Sequence, residues 1–345
     1  MVTKKNLLKY LKARQLASGR ELAEAFGISR QAINKHLKGL IENGKVCKEG
    51  TTKGTVYTVH STTDKKDVSQ KFKKRYVLEG LEEHVVFNEC ESNLQLRKNI
   101  SHNVFDIVRY AFTEMIDNAI EHSESKLGDI EFFLNAYNCG FKIKDYGIGI
   151  FYSVFKKLSL PDESAAVGEL LKGKTTTMKE RHTGEGVFFT SKSGDHIIFQ
   201  SHRAELVFDN KVKDVFMAAR RFTKGTEVSF RISRNSKRKL GDIFNLYAPA
   251  EYEHRFEKTR VFVALYHKEL VSRSEARRIL NGLDKFREII IDFLGVRSIG
   301  QGFADEIFRV FRKVHPDIAI SVENLNPSLR PIIRHVVKKW FYNTL

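Results

Sequence analysis

Phe112-Thr113-Glu114-Met115-Ile116-Asp117-Asn118-Ala119-Ile120-Glu121-His122 is the stretch on which the fold prediction depends. Residues 103–125 contain no Pro or Gly, so the sequence predicts a helix here. Glu114 and Asn118 lie four residues apart and share a second, polar face, where their oxygens could hold a hard cation or orient a water. The apolar face is formed by residues at three- and four-residue steps, namely Phe105, Val108, Phe112, Met115, Ala119 and Ile120.

Three glycine-containing motifs follow this helix in a fixed order. Asp145-Tyr146-Gly147-Ile148-Gly149 ends an alternating stretch typical of a strand. Gly184-Glu185-Gly186 comes next, and Lys224-Gly225-Thr226 then leads into a second alternating stretch. The ordered set resembles the ATP-binding domain of the GHKL superfamily, which includes gyrase, Hsp90, histidine kinases, MutL and the anti-sigma-factor kinases. The resemblance implies a Bergerat α/β sandwich that binds ATP and Mg²⁺.

The resemblance also implies a role for each matching residue. Asn118 matches the Mg²⁺ ligand, and Glu114 matches the catalytic residue that polarises the attacking water or acceptor. Asp145 matches the carboxylate that accepts from the adenine amino group. Gly147 and Gly149 match the glycines that let the backbone pass close to the nucleotide. Gly184 and Gly186 match the glycine pair beside the phosphates, and Thr226 matches the hydroxyl that supports the adenine end.

Residues 168–175 also satisfy the Walker A pattern G-x-x-x-x-G-K-T. A P-loop follows a buried strand, whereas residues 161–167 are helix-like and lead into Glu169-Leu170-Leu171-Lys172, so a true P-loop is not expected. The stretch lies where the GHKL family has its lid. Lys174 and Thr175 are therefore predicted to close over the triphosphate.

Positive charge is concentrated at the N-terminal end of the 345-residue chain. Residues 1–75 contain 18 Lys or Arg and 6 Asp or Glu, so +12 of the net charge of +17 lies there. This distribution predicts a polyanionic partner at that end. The three cysteines form no C-x-x-C pair, and no apolar run is long enough to span a bilayer. We therefore expect free thiols, no zinc, no membrane partner and a cytoplasmic location.

Residues 1–60 are predicted to form a winged helix-turn-helix. Ser18 begins a capping-box pattern, Gly27 permits the turn, and Ser29 caps a third helix that begins at Arg30. A two-stranded wing follows, with Gly50 and Gly54 at its tip. On this interpretation the third helix lies in the major groove of duplex DNA, unless the domain serves only protein contacts. The residues predicted to bind DNA are Arg30, Gln31, Asn34, Lys35 and Lys38.

The whole chain is predicted to be an α+β multidomain protein. Residues 61–75 are polar and charged and indicate a linker, whose cluster at 71–75 extends the basic surface. The ATP-binding domain is predicted over 76–238, with antiparallel strands near 129–136 and 140–145 joined by a turn at 138–140. Residues 239–345 alternate strand and helix, with a central strand over 288–294, and indicate a small α/β domain.

Residues 289–304 of this last domain resemble the STAS-like domains found after GHKL modules. In phosphorylated anti-sigma antagonists a serine stands at the strand-to-helix turn, and Gln301 occupies that place here. The chain therefore lacks that phosphoacceptor. Residues 61–100 are too short and irregular for the phosphoacceptor hairpin of a histidine kinase.

Three functions remain open from the sequence. The first is a DNA-associated regulator in which Mg·ATP binding or slow hydrolysis switches binding to DNA or to a protein partner of the STAS-like domain. The second is an anti-sigma-type serine/threonine kinase that acts on another chain. The third is a GHKL ATPase whose winged helix docks a protein. A homodimer is compatible with each of them.

Overall fold

The structure is a computed structural model of the chain. It describes residues 3–14, 16–42, 46–49, 55–59, 70–160, 162–174, 185–266 and 269–336. The buried hydrophobic side chains of these residues form three clusters, one in the N-terminal domain, one in the central domain and one in the C-terminal domain. Phe188 and Phe189 belong to the C-terminal cluster although they precede the last central strands.

The N-terminal domain has the predicted helix-turn-helix architecture. The Ser18 hydroxyl accepts from the Glu21 amide at 3.1 Å, Gly27 has a left-handed φ of 62°, and the Ser29 hydroxyl accepts from Ala32. Its strands lie in the order β1 (Leu16–Ser18), β3 (Val56–Val59) and β2 (Val46–Glu49), and their antiparallel pairing forms the wing. The elements are α1 (Lys4–Arg14), β1 (Leu16–Ser18), α2 (Gly19–Phe26), α3 (Arg30–Glu42), β2 (Val46–Glu49) and β3 (Val56–Val59). Gly50 and Gly54 lie outside the described residues.

The central domain packs helices on one antiparallel sheet. Its elements are β4 (Gln70–Val77), α4 (Glu83–Leu94), α5 (Leu96–Asn99), α6 (His102–His122), β5 (Leu127–Leu134), β6 (Asn138–Asp145), α7 (Ile150–Lys157), α8 (Glu163–Lys172), α9 (Gly186–Ser193), β7 (His196–Asp209) and β8 (Asp214–Ser233). The strand order is β4-β5-β6-β8-β7. The predicted helix is therefore confirmed as α6, whose apolar face is buried against the phenylalanine-rich core.

The predicted linker is wrong from Gln70 onward, because β4 pairs with β5 along its whole length. The Lys and Arg side chains of β4 form a charged run that is typical of a linker. In the structure most of them form ion pairs with carboxylates that are distant in the chain. Lys71 pairs with Glu131 at 3.1 Å, and Arg75 pairs with Asp129 at 2.6 Å. Lys74 likewise pairs with Glu89. These pairs neutralise most of the basic cluster that we expected to extend the DNA-binding surface.

The turn between β5 and β6 begins earlier than predicted. The Asn135 side chain accepts from the amides of Tyr137 and Asn138 at 2.9 and 2.8 Å. Asn138 already pairs with Ser233 in β8. An asparagine that bonds to its own backbone two residues on explains the shift, since this geometry starts a turn.

The hairpin formed by β7 and β8 folds back on itself. An extended strand rises about 3.3 Å per residue, so residues nine apart in a straight strand would lie about 30 Å apart. The rings of Phe199 and Phe208 are nevertheless 6.2 Å apart. The bend coincides with register shifts at Ser201, His202 and Ala204. The tip of the hairpin therefore returns to the start of β7, where Asn210 bonds to the carbonyl of Gly194.

The C-terminal domain is built on a parallel sheet whose strands lie in the order β13 (Ala319–Glu323), β11 (Glu288–Asp292) and β9 (Lys258–Phe262), with the apolar β11 in the centre as predicted. Strands β10 (Glu269–Leu270) and β12 (Ser298–Ile299) form a separate two-stranded parallel sheet. Its elements are α10 (Leu240–Tyr247), β9 (Lys258–Phe262), β10 (Glu269–Leu270), α11 (Arg273–Leu280), β11 (Glu288–Asp292), β12 (Ser298–Ile299), α12 (Gln301–Asp305), a π-helical turn (Glu306–Phe311), α13 (Arg312–Val314), β13 (Ala319–Glu323) and α14 (Arg330–Val336).

Lys192 of α9 lies where the central and C-terminal domains meet. Its ammonium is 4.6 Å from the ring centroid of Phe262, 5.2 Å from Phe188 and 5.5 Å from Phe208. Burial, together with the charge of Arg260 and against the opposing effect of Asp292, lowers the pKa of Lys192 to about 7. The interface therefore holds an amine that loses its proton near neutral pH.

We expect Lys192→Met to change how stability depends on pH. Between pH 7 and the ordinary lysine pKa of 10.5 only the unfolded chain keeps this proton, so the wild-type free energy of unfolding rises with pH by up to about 1.4 kcal/mol per unit. The stability gained from the neutral amine is lost as pH falls through about 7, because the folded state then takes up the proton as well. Urea unfolding from pH 6 to 10 measures this. The free energy of unfolding should depend less on pH in Lys192→Met than in the wild type, and equally in the exposed Lys313→Met. Identical slopes for all three proteins would contradict the assignment.

Candidate functional site

Asp145 is the best-anchored polar group among the predicted site residues. It ends β6, is 4 % exposed, and its Oδ1 accepts from the amides of Gly147 at 2.9 Å and Thr226 at 3.1 Å. Burial raises the pKa of Asp145, while the two backbone donors act against that rise. The carboxylate thus holds together the end of β6, the glycine turn after it and Thr226, which precedes the part of β8 that pairs with β6.

Glycine is required on both sides of this carboxylate. A Cβ on Gly147 would lie 1.7 Å from the carbonyl oxygen of Ser123, at the end of α6. Gly225 has a φ of 73°, and a Cβ there would lie 2.4 Å from Asp145 Oδ1. The Ile148 amide also donates to the Ser123 carbonyl at 2.8 Å. The turn after Asp145 is therefore fastened to α6.

Thr226 joins the same group of residues. Its hydroxyl oxygen accepts from the Ile150 amide at 2.9 Å, which connects β8 to the start of α7. Gly149 has a φ of 84° and precedes that helix. The structure therefore brings Asp145, Gly147, Gly149 and Thr226 together at one end of the sheet.

The polar face of α6 leads from this turn to the start of α9. Glu114 and Asn118 are both half-buried. The Asn118 amide nitrogen donates to the Glu114 carbonyl at 2.7 Å, so its oxygen is the atom suited to a cation. A Cβ on Gly186 would lie 2.0 Å from Glu114 Oε2. The Glu114 carboxylate therefore packs against the N-terminus of α9, where a negative charge is stabilised.

Tyr110 lies one turn before Glu114 on α6. Burial raises the pKa of Tyr110, and the carboxylates of Glu114 and Glu185 raise it further. This end of the site therefore contains two carboxylates beside a phenol that stays protonated. Nine residues separate Glu114 from Ser123, so α6 spans roughly 13 Å between the α9 end and the Asp145 end of the site.

Residues 168–172 of the Walker-like pattern are helical, as expected, but Lys174 is not at this site. Helix α8 covers Gly168, and Lys174 extends to the C-terminal domain, where its ammonium donates to the Lys285 carbonyl at 2.9 Å and pairs with Glu257 at 3.3 Å. The structure therefore does not bring Lys174 to this site, and its closure over a triphosphate stays a prediction. Thr175 and Gly184 lie outside the described residues.

The two glycines of the Walker-like pattern have a packing role instead. A Cβ on Gly168 would lie 2.4 Å from the ring of Tyr266, and one on Gly173 would lie 2.4 Å from the ring of Phe256. Both rings belong to the C-terminal part of the chain. Close approach of α8 to that domain explains the glycines without any phosphate.

Ser201 and His202 lie beside Gly149 at the edge of the site, a position that the sequence did not reveal. A Cβ on Gly149 would lie 2.5 Å from the Ser201 hydroxyl and 3.0 Å from His202 Nε2. His202 has a φ of 48°, and its Nδ1 is 3.0 Å from a carboxylate oxygen of Glu163 in α8. Both belong to the bend of the β7–β8 hairpin, which no local sequence pattern predicts.

The predicted DNA-binding residues form a second candidate surface. All five are exposed along α3, while Ile33 and Leu37 are buried on its other face. Asn34 has a partner within the domain, since its side-chain oxygen accepts from the Tyr57 hydroxyl at 3.2 Å. The exposed residues are Arg30, Gln31, Asn34, Lys35 and Lys38.

Two family models match the chain. An HTH domain model matches residues 3–63, and the model of a STAS-like domain of unknown function (DUF4325) matches residues 275–330. The chain therefore carries an N-terminal HTH domain, which indicates DNA binding and regulation, and a C-terminal STAS-like domain. No curated protein matches the chain. Among the described helices, none is long and apolar enough to cross a membrane.

We expect Gly186→Ala to destabilise the protein by displacing the Glu114 carboxylate. Glu114 Oε2 is the far end of a flexible side chain and can move, so the cost should fall at or below the low end of the roughly 1–3 kcal/mol typical of overpacking. Glu114→Ala removes the clashing atoms, so the double variant should lose less stability than the sum of the two single changes. Chemical unfolding measures the loss of stability in the two single variants and in the double variant. Gly241→Ala is the matched control, because a Cβ there meets nothing within 4 Å. Additive effects of Gly186→Ala and Glu114→Ala would contradict this contact.

Proposed function

We propose that the central domain binds Mg·ATP and that its nucleotide state biases DNA binding by the N-terminal domain or partner binding by the STAS-like domain. The observation that carries the proposal is the buried Asp145 carboxylate, anchored by Gly147 and Thr226 at one end of α6. Glu114 and the N-terminus of α9 lie at the other end. This arrangement agrees with the ordered GHKL-like motifs of the sequence.

The residues present fit an adenine nucleotide. Asp145 provides a buried acceptor for the adenine amino group, and Thr226 supports that end. Roughly 13 Å along α6, the α9 N-terminus with Gly186 provides backbone donors for phosphates. The Asn118 oxygen is a ligand of the hard type that Mg²⁺ prefers. Bound Mg·ATP would supply a γ-phosphate whose charge the cation neutralises, and Glu114 would orient an attacking water or hydroxyl.

Phosphoryl transfer to another chain is the second candidate function. The position of Glu114 beside the α9 N-terminus supports transfer and hydrolysis equally, because both need a carboxylate at the phosphate end. Gln301 begins α12, where anti-sigma antagonists carry the phosphorylated serine, so the acceptor of such a reaction would be a separate protein. Radiolabelled γ-phosphate ATP would distinguish release, transfer to a partner and binding alone.

We expect Asn118→Ala and Asp145→Asn to weaken Mg·ATP binding without unfolding the domain. Asp145→Asn keeps an oxygen for the two backbone amides but presents a donor to the adenine amino group. The resulting unpaired group costs roughly 1–3 kcal/mol, which is about a ten- to hundredfold loss of affinity. Isothermal calorimetry on the full chain measures this loss.

The matched control for Asn118→Ala is Asn93→Ala. Asn93 donates to the Glu89 carbonyl at 2.8 Å, the same bond within a helix that Asn118 makes, but it is exposed on α4. Asn93→Ala should bind Mg·ATP like the wild type. Wild-type protein that fails to bind Mg·ATP, or that binds Mg·GTP equally well, would refute the proposed adenine site.

For the N-terminal domain, we expect duplex binding that weakens steeply with salt. Each phosphate contact contributes about 0.9 log units of affinity per decade of salt. Arg30→Ala with Lys35→Ala should lower affinity and reduce that slope by up to about two contacts, while Gln31→Ala should mainly relax preference between sequences. Anisotropy titrations on random and selected duplexes measure both quantities.

The control variant removes two positive charges, as Arg30→Ala with Lys35→Ala does, but outside the N-terminal domain. Lys98→Ala with Lys313→Ala changes two exposed lysines outside the N-terminal domain and should leave the slope unchanged. Absence of binding at low salt would leave the helix-turn-helix as a protein-docking module. A slope unchanged by the Arg30 and Lys35 substitutions would place the DNA on another surface.

A further inference from the structure

His202 contacts the proposed nucleotide site on one side of its ring and α8 on the other. Nε2 faces Gly149, at 3.0 Å from the position of a Cβ there, and Nδ1 is 3.0 Å from a Glu163 carboxylate oxygen. The ring stacks on Phe222 at 5.2 Å, with Tyr152 at 5.5 Å. A left-handed φ at a histidine is held only when the surroundings determine it strongly.

The opposite end of α8 is fastened to the STAS-like domain. The buried Lys172 ammonium pairs with Glu169 and donates to the carbonyls of Asn281 at 2.7 Å and Arg278 at 3.4 Å, at the end of α11. The Lys172 carbonyl accepts from the Thr259 hydroxyl of β9. With the packing of Gly168 on Tyr266, these bonds make α8 a helix shared by two domains.

The charge balance at this contact favours a fixed geometry. Burial lowers the pKa of Lys172, while Glu169 raises it. An ammonium that is 2 % exposed and bonded to one carboxylate and two carbonyls cannot shift without losing those partners in a poorly solvated place. A displacement at the Glu163 end of α8 is therefore passed to α11 as a rigid movement.

We propose that α8 couples the nucleotide site to the STAS-like domain, with His202 as the positioning residue that links the site to this helix. The inference rests on the proposed function. A base held by Asp145 lies against the turn that ends at Gly149, so its binding fixes Gly149 relative to His202. His202 then holds Glu163, and α8 transmits that restraint to α11. The STAS-like domain thus responds to nucleotide without being phosphorylated.

The test is hydrogen exchange on the full chain with and without Mg·ATP, followed over residues 273–285. Couplings between sites are typically five- to 150-fold, so saturating Mg·ATP should slow exchange there by about fivefold or more. This first measurement uses the wild type and therefore does not depend on the folding of any variant. Calorimetry on the same sample establishes whether Mg·ATP binds.

Two variants locate the coupling. His202→Asn keeps the left-handed backbone, which asparagine tolerates, but removes the ring contacts. Lys172→Met keeps most of the side-chain volume and removes the ammonium that bonds to α11. Either variant should abolish the slowing over 273–285 while still binding Mg·ATP, and Lys313→Met, an exposed lysine of the same domain, should retain it.

The outcomes separate the two proposals. Wild-type protein that binds Mg·ATP with unchanged exchange over 273–285 would overturn the coupling and leave the nucleotide site intact. Wild-type protein that does not bind Mg·ATP would overturn both. Slowing that persists in both His202→Asn and Lys172→Met would show that the path does not run through α8. Slowing that is lost in both, and kept in Lys313→Met, supports the coupling.

Discussion

The paired amide bonds to the Asp145 carboxylate are the constraint on which the central domain depends. They join the end of β6 and the turn at Gly147 to Thr226 of β8, which is 81 residues further along the chain. Because the carboxylate is almost fully buried, its donors cannot be exchanged for water without a large cost. The same turn is bonded to Ser123, which fixes α6 and its polar face relative to the strands.

Local pattern predicted the parts of the fold that are decided locally. The three- and four-residue periodicity around Phe112 gave α6, and the apolar run at 288–294 gave the central strand β11. The capping residues Ser18 and Ser29 placed the helices of the N-terminal domain. The order of the motifs predicted that Asp145, Gly147, Gly149 and Thr226 belong to one site, and the structure brings these four residues together.

Long-range pairing decided the parts that the sequence did not predict. Strand β4 was not predicted because its Lys and Arg side chains are typical of a linker. Their ion-pair partners, such as Glu131 and Asp129, are more than ten residues away in the chain. The fold-back of β7 and β8, which brings His202 to Gly149, has no signal in a single sequence. Lys174 matched a phosphate-binding motif, but the nearby C-terminal domain provides its partners.

The folded-back hairpin also contacts the helix-turn-helix. Arg20 in α2 pairs with Asp214 at the hairpin tip at 2.8 Å, while the bend of the same hairpin carries His202 and one of its strands carries Thr226. Burial, together with the charges of Glu21 and Asp214, raises the pKa of Asp209 to about 6. The N-terminal domain is therefore docked through α2, and the basic face of α3 stays exposed.

The most direct test of nucleotide-dependent regulation is the affinity of the full chain for one duplex at fixed salt, measured by anisotropy without nucleotide, with Mg·ATP and with Mg·ADP. A switch requires that ATP bind the two conformational states with different affinity, so the dissociation constant should change several-fold with Mg·ATP. An equal dissociation constant in all three conditions, with calorimetry showing that Mg·ATP is bound, would contradict the proposal that nucleotide state controls DNA binding.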